Sequence, residues 1–532
     1  MPYHKRQRPL VPLSSPMRTG GEWLGGKGLL AAAVPISLVL FSVLPAAAAE
    51  PATAESGPSF EPLVRVVDLN VGEETTVDLA DGSRVQVRLL DVRETRDPIR
   101  QAIRRAEAVV EVNGERGTLS AGLYHLPVQL GGVQIDCAVT AGHNLNNLRC
   151  DYALEADARL RLWPADSQLV RPGTFRYPVR QRWFATLTWS DIEPIDAGAT
   201  ISDQVAYHNG VDIGGAEGMV EVVAATDGLI VSAGLDVLEG HEHETPGRGP
   251  VVQPRYDVVY LLDRRGWYYR YSHFQSIDEG VVPGRTVKQG ERLGILGKEG
   301  ASGGWSHLHF HIMSPQPSGH WGLQNAYAFL HEAYVGEHRP AVLACARPMH
   351  LIRAGEEVEL DGTGSWSAGG TIAEYHWTFT DGTTATGPRA RRTYPEPGRF
   401  SEILRVTDGE GNVDYDFAYV QVLDPDRPDR YTASLHATYA PTFAIRPGEP
   451  VTFQVRAFGT TEGEEIWDFG DGSPAVRTGS DGNVDPLAPD GYARVVHRYE
   501  QPGHYLVHIH RTTDGGITAH ARLHVRVEAD CP

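Results

Sequence analysis

The sequence is short of positive charge. Its 532 residues hold 48 Lys and Arg against 68 Asp and Glu, a formal charge of −20, so a partner held through its phosphate backbone is not expected and nucleic acid is excluded as a ligand class. Long apolar runs are nearly as scarce. Only Leu29 to Leu44 approaches membrane length, and its sixteen residues, interrupted by Pro35, fall short of the ~20 that a spanning helix needs. Lys5, Arg6, Arg8, Arg18 and Lys27 precede that run and "PAAAAE" follows it, which is the layout of an export signal. Residues 1–49 are therefore read as a signal peptide, with an uncleaved anchor as the alternative and Met17 as a second candidate start. The mature chain is expected to be secreted, periplasmic or at the cell surface, without stable membrane insertion. It is more acidic still, since the leader takes five basic groups and one acid with it.

Cysteine is sparse, at four residues. In an oxidising compartment these are expected to pair. Cys137 and Cys150 flank the loop-like "AVTAGHNLNNLR" and favour a local bridge; Cys345 and Cys531 bracket the C-terminal region as a second pair. Four cysteines allow three pairings, and spacing does not choose among them.

The length is too great for one ordinary core and predicts three or four domains. "EPATAESGPSF" reads as a linker, placed at residues 50–62. From residue 63 to 189, short alternating runs such as "VRVVDLNV" and "AEAVVEVNGERGTLSAG", broken by turn signals, predict a β-rich domain whose role is open: pro-segment, wall-binding unit or scaffold. Only "DPIRQAIRRA", residues 97–106, reads as a helix. Residues 190–338 are again strand-like with Gly-rich turns. The overall class is mainly β.

Beyond Pro340 the chain repeats itself. "WTFTDG" at 377 recurs as "WDFGDG" at 467, and "YPEPG" at 394 as "YEQPG" at 499, with "GSDGNVDPLAPDGYAR" inserted in the second copy. Alternation and turns at this repeat length predict two tandem β-sandwiches, residues 341–425 and 430–530. These copies resemble PKD domains, the second more closely than the first. The resemblance implies a spacer or a weak binding module. The acidic "DGNVD" of residues 481–485 lacks the spacing of an EF-hand loop and is read as turn decoration.

The chemistry is concentrated in the middle domain. "HNGVD" places His208 and Asp212 at an even spacing, on one face of an extended segment with Gly210 leaving room between them. "SHLHFHI" sets His307, His309 and His311 on one face of a strand, with Leu308 and Phe310 on the other. "YRYSHF" adds His273 after an aromatic run, Trp267 to Tyr271, that is read as packing. Imidazole and carboxylate are good zinc ligands, while no H-E-x-x-H helix supplies a glutamate base.

Taken together, "HNGVD", "EVVAATDGLIVSAG", "YRYSHF", "VKQGERLGILGKEGASGG" and "HLHF" resemble the lysostaphin-type (LytM-like) zinc endopeptidases that cut peptidoglycan peptides, over about residues 204–334. The resemblance implies an antiparallel-β peptidase holding one Zn²⁺ through His208, Asp212 and His309, with His273 and His307 as paired catalytic histidines. Peptidoglycan or an extracellular peptide is the expected partner. The family's usual acid after "HLHF" is here His311, which is left out of the zinc sphere. His241 and His243, on the long loop 238–255, are read as part of a solvated loop edging the groove. The alternatives are a non-catalytic wall-binding or hydrolase-activating protein, and a protease of the same mechanism acting on extracellular proteins.

Overall fold

The computed structural model describes residues 59–145, 151–196, 205–247, 249–426 and 432–529, and their regular secondary structure is almost wholly β-strand. The expected signal peptide, all but the end of the linker, Cys150 and Cys531 lie outside the described residues. Phe60, within the expected linker, is buried beneath the guanidinium groups of Arg264 and Arg265.

The N-terminal region folds as two four-stranded antiparallel sheets. One orders Arg65–Leu69, Ala158–Pro164, Val133–Thr140 and Val128–Leu130; the other is the meander Glu74–Asp78, Arg84–Arg96, Ile103–Val112 and Glu115–Ser120. Val87, Leu89, Val110, Ile135, Leu160 and Leu162 fill the space between them. The expected helix over 97–106 is not there. Asp97 accepts the backbone N–H groups of Ile99 at 2.9 Å and Arg100 at 2.6 Å, which makes a turn, and Gln101 at φ 61° completes it. From Ala106 to Val112 alternate residues are buried, so period-two burial against Arg84–Arg96 overrides the local helix propensity.

No disulfide is present among the described residues, and the expected partners Cys150 and Cys531 lie outside them. Cys137 and Cys345 are buried free thiols, and burial pushes the Cys137 thiol up to about 12. Cys137 lies on a strand wedged into the apolar core, its Sγ 3.7 Å from the Val139 carbonyl.

The middle region is built on an antiparallel sheet ordered Asp236–Val237, Gly228–Ala233, Val258–Asp263, Tyr268–Ser272, His307–Pro315, Val211–Gly214 and Thr188–Trp189, beside a smaller sheet of Glu221–Val223, Arg292–Leu296 and Phe274–Ile277. Trp267, Tyr268, Tyr269 and Tyr271 are buried in its core, as the aromatic run predicted. The helix Tyr327–His338 packs beside the sheet and ends at Arg339 in the left-handed conformation. The core does not stop at the sheet. Val64, Tyr152 and Trp163 from the N-terminal region and Leu343 and Ala440 from the C-terminal repeats belong to the same apolar cluster as Tyr271 and Phe310. Arg161, buried and paired with Asp136 at 2.6 Å, also donates to the Asn325 carbonyl at 2.7 Å across this junction.

Each C-terminal repeat buries its motif tryptophan completely, Trp377 in one core and Trp467 in the other. The two copies are joined edge to edge. Gly398–Asp408 of the first pairs in parallel with Thr518–Val527 of the second, at Gly398 with Thr518 and Arg399 with Ala519, so one sheet runs through both modules.

Two consequences for stability can be measured. Asp136→Ala leaves the Arg161 charge buried without its partner and is expected to cost about 3–5 kcal/mol; Asp91→Ala breaks an exposed pair with Arg93 and is expected to cost less than about 1 kcal/mol. Urea unfolding of the two variants tests the contrast. Burial also holds His143 and His331 down to about 4, below their ordinary value of 6.5. The unfolded chain therefore takes up these protons first, and each site's contribution is complete above about pH 6.5 and lost as pH falls toward 4, to the extent of about 3 kcal/mol per site. Unfolding free energies at pH 7.5 and 5.0 should differ in that direction, with a smaller difference in His331→Phe.

Candidate functional site

Two adjacent strands assemble the polar cluster. Val211–Gly214 runs antiparallel to His307–Pro315, with Asp212 directly opposite His309 and Gly214 opposite His307. Because neighbouring strands lie about 5 Å apart, the Asp212 and His309 side chains meet on the same face. His208 arrives from the segment just before the strand, where its N–H donates to the Glu193 carbonyl at 2.8 Å and its own carbonyl accepts from the Ile192 N–H at 2.9 Å. The chain turns between them at Gly210, φ +126°. A Cβ there would stand 2.7 Å from the Phe310 carbonyl oxygen, so the turn requires glycine.

Asp212 is the hub. Its Oδ1 is 2.8 Å from His309 Nδ1, and its Oδ2 is 3.0 Å from His208 Nε2 and 3.4 Å from His307 Nε2. One donor atom from each of His208, Asp212 and His309 falls within 4.8 Å of the others, and all three residues are buried. His208 Nδ1 is buried without a hydrogen-bond partner, so the ring's polar commitment is to this cluster alone.

The electrostatics favour a cation here. Burial opposes charge on both members, yet Asp212 lifts His208 to about 9, and His208 and His307 hold Asp212 well below the carboxylate range. Burial drives His309 down to about 3 and His307 well below its ordinary value, so both keep neutral, lone-pair-bearing rings. Two imidazoles and one carboxylate suit a zinc-type ion.

His307 and His273 stand beside the cluster, ring centroids 4.5 Å apart. The His307 Nδ1–H donates to the Trp305 carbonyl at 3.0 Å, and the His273 Nδ1–H to the Glu299 carbonyl at 2.6 Å. A carbonyl only accepts, so each anchor places the proton on Nδ1 and the lone pair on Nε2; Arg255 Nη2 also stands 3.2 Å from His273 Nδ1, and Asp212 Oδ2 3.4 Å from His307 Nε2. His273 holds this pose at φ 73°, a conformation that costs a non-glycine residue about 1–3 kcal/mol. Asp257 compensates by accepting the His273 N–H at 3.0 Å. Burial works against the Asp257 charge, but His273 and Arg255 keep it well below the carboxylate range.

His311 lies behind the cluster. Its Nδ1 is 3.2 Å from His309 Nε2, the ring nitrogen turned away from Asp212, and across the sheet it faces Arg270. His241 and His243 are elsewhere: His241 Nδ1 is 2.9 Å from the Tyr268 hydroxyl and His243 packs on Trp321, and neither borders the cleft.

That cleft, about 620 Å³, contains His208, Asp212, His273, His307 and His309 along one side. Trp189 and Trp305 flank them, their ring centroids 6.0 Å apart. The opposite wall comes from the C-terminal repeats, including Met349, Phe400, Tyr419 and His436. The motifs announce the five polar residues. Asp257, Trp305 and His436 are brought in by the fold. A lone carboxylate opening the apolar strand "DVVYLL" was the only signal for Asp257, and nothing near His436 in sequence marks it.

Comparison with known proteins agrees with this arrangement. Residues 206–320 match peptidase family M23, and residues 338–422 and 434–525 each match the PKD domain. A collagenase, ColA of Clostridium perfringens, is 33% identical over 73 residues, which is 14% of this chain and 6% of the collagenase. Among solved structures, Helicobacter pylori Csd3 covers 50% of this chain and 82% of its own at 13% identity and a TM-score of 0.20. The D0-D1 domain of intimin covers 35% and 97% at 16% identity, with the same TM-score. The chain thus carries a peptidase domain of family M23 followed by two PKD domains.

Proposed function

We propose that this protein is a secreted zinc-dependent metalloendopeptidase that hydrolyses peptide bonds in the cross-bridges or stem peptides of peptidoglycan. The observation that carries the reading is the convergence of His208, Asp212 and His309 beside two histidines, His273 and His307, that line the same cleft. The peptidase family match and the lysostaphin-type motifs support the reaction class and the substrate.

His208, Asp212 and His309 would hold one Zn²⁺. When bound, the ion supplies a Lewis acid for the peptide carbonyl and lowers the pKa of a water toward ~7. Proton transfer belongs to the chain. His307 and His273 both enter the reaction with Nδ1–H anchored on a carbonyl. One of them takes the proton of the attacking water at Nε2 and, as an imidazolium, returns it to the departing amine as the C–N bond breaks; the other orients the water. His309 would ligate through Nδ1, which leaves Nε2–H to donate to His311. His311, at the position where the resemblance expects an acid, thereby orients the His309 ring.

A second reading, a peptidase acting on an extracellular protein, has the short likeness to a collagenase behind it. Zinc content of the purified chain and amine release from purified peptidoglycan separate the possibilities. We expect one zinc per chain, lost in His309→Ala together with activity. His307→Ala should retain zinc and lose about 10²–10⁴-fold in kcat. Stoichiometric zinc in His309→Ala would sink the ligand assignment. Zinc without cleavage of any peptide would point to a binding protein, and cleavage of proteins alone to the second reading.

A further inference from the structure

The loop before His307 is held from outside the peptidase domain. It runs from Ala301 to Ser306, and the second PKD module grips it at successive residues. Asn483 Nδ2 donates to the Gly303 carbonyl at 3.0 Å, Arg456 Nη1 to the Gly304 carbonyl at 2.7 Å, and the Tyr492 hydroxyl accepts the Ser306 N–H at 2.9 Å. The approach is so close that a Cβ on Gly304, at φ +90°, would fall 2.0 Å from Asn483 Oδ1. Nearby, Gln454 exchanges two hydrogen bonds with the Glu217 backbone, at 2.8 and 3.0 Å.

Two of the three residues that grip the loop, Asn483 and Tyr492, come from the insertion that distinguishes the second repeat from the first. Residues 479–494 fold around Arg456, whose guanidinium is fully buried and bonded to the Asp481 carboxylate and to the carbonyls of Asp485 at 2.6 Å and Pro486 at 2.9 Å. A module that served only as a spacer would have no use for a buried, fully bonded arginine at this face, because desolvating it is costly unless each partner is supplied.

The grip reaches the proposed catalytic centre through one side chain. Trp305 stacks on His307, centroids 3.9 Å apart and planes 17° from parallel. It also meets His436 of the second PKD module, edge-on at 5.0 Å and 81°, and Trp189 of the peptidase region at 6.0 Å and 62°. His436 is buried and fixed by Tyr492, whose hydroxyl is hydrogen-bonded to His436 Nδ1 at 2.7 Å while accepting from the Ser306 N–H. Trp305 also supplies the carbonyl that holds the His307 proton on Nδ1. The indole and its carbonyl therefore set both the plane and the tautomer of His307, and His436, held by Tyr492, braces the indole together with Trp189.

We propose that His436 and Tyr492 of the second PKD module are positioning residues for His307, so that this module is a working part of the peptidase. The proposal rests on the reading of His307 as a proton-transfer group.

The test uses the full chain carrying His436→Ala, His436→Phe or Tyr492→Phe. The readouts are kcat and KM on a peptidoglycan peptide, zinc content, and the ¹⁵N signals of His307 in histidine-labelled protein, assigned through His307→Gln. We expect His436→Ala to keep its zinc and its KM within about twofold, to lose about tenfold to a hundredfold in kcat, and to mix the two neutral tautomers of His307. His436→Phe, which restores an aromatic edge against Trp305, should recover most of the loss. Tyr492→Phe, the smallest change, should fall between them and decides the matter if His436→Ala does not fold. Unchanged kcat, a rise in KM alone, or a fall in kcat with the His307 signals unmoved would each overturn the proposal. Should the parent chain cleave no peptide, the proposed function fails, and the His307 tautomer in the variants still decides the positioning claim by itself.

Discussion

The register of one strand pair supports the rest of the site. Asp212 meets His309 because Val211–Gly214 and His307–Pro315 pair at that residue and no other. Side chains alternate across a sheet, so a slip of one residue would carry the carboxylate away from the imidazoles and put apolar residues in the cleft. The opposite face fixes the register. Leu308, Phe310 and Ile312 are essentially inaccessible, and each such side chain contributes about 1.5–3 kcal/mol when buried. The apolar face thereby stabilises the placement of a polar face that could not hold itself, since gathering Asp212 with three imidazoles away from water is unfavourable until a cation joins them.

A polar cluster of this kind needs stiff surroundings, and the chain supplies them from both ends. The N-terminal sheets share a core with the peptidase sheet through Val64, Tyr152 and Trp163. The C-terminal repeats meet it through Leu343 and Ala440 and through polar contacts such as Met349 N–H to Glu193 Oε1 at 2.8 Å. The pairing of Gly398 with Thr518 then ties the two repeats into one sheet. Strain at His273, with φ 73°, persists because Asp257 and the Glu299 carbonyl hold the residue from two directions.

Much of this was legible in the residues. Period-two alternation identified the β class, and the histidine spacing identified the face they share. The repeated tryptophan motifs marked the centres of the two sandwich cores. The failures have physical causes. "DPIRQAIRRA" carries good helix formers, but Asp97 caps a turn and Ile103 to Val112 gain more as a buried strand. Paired cysteines were a compartment argument that finds no support among the described residues, where Cys137 and Cys345 are buried free thiols. His241 and His243 looked like groove residues only because their distance from the sheet's open face is invisible in one dimension.

The sequence alone determined which side chains were available for metal and proton chemistry, and at what spacing along each strand, because strand geometry converts spacing directly into facing. Only the tertiary structure decided which distant groups complete the centre. Asp257 behind His273, and His436 and Tyr492 behind Trp305, come together through packing and hydrogen bonds between segments up to 187 residues apart, counted from Trp305 to Tyr492. No local pattern encodes such contacts, since each depends on how whole sheets dock.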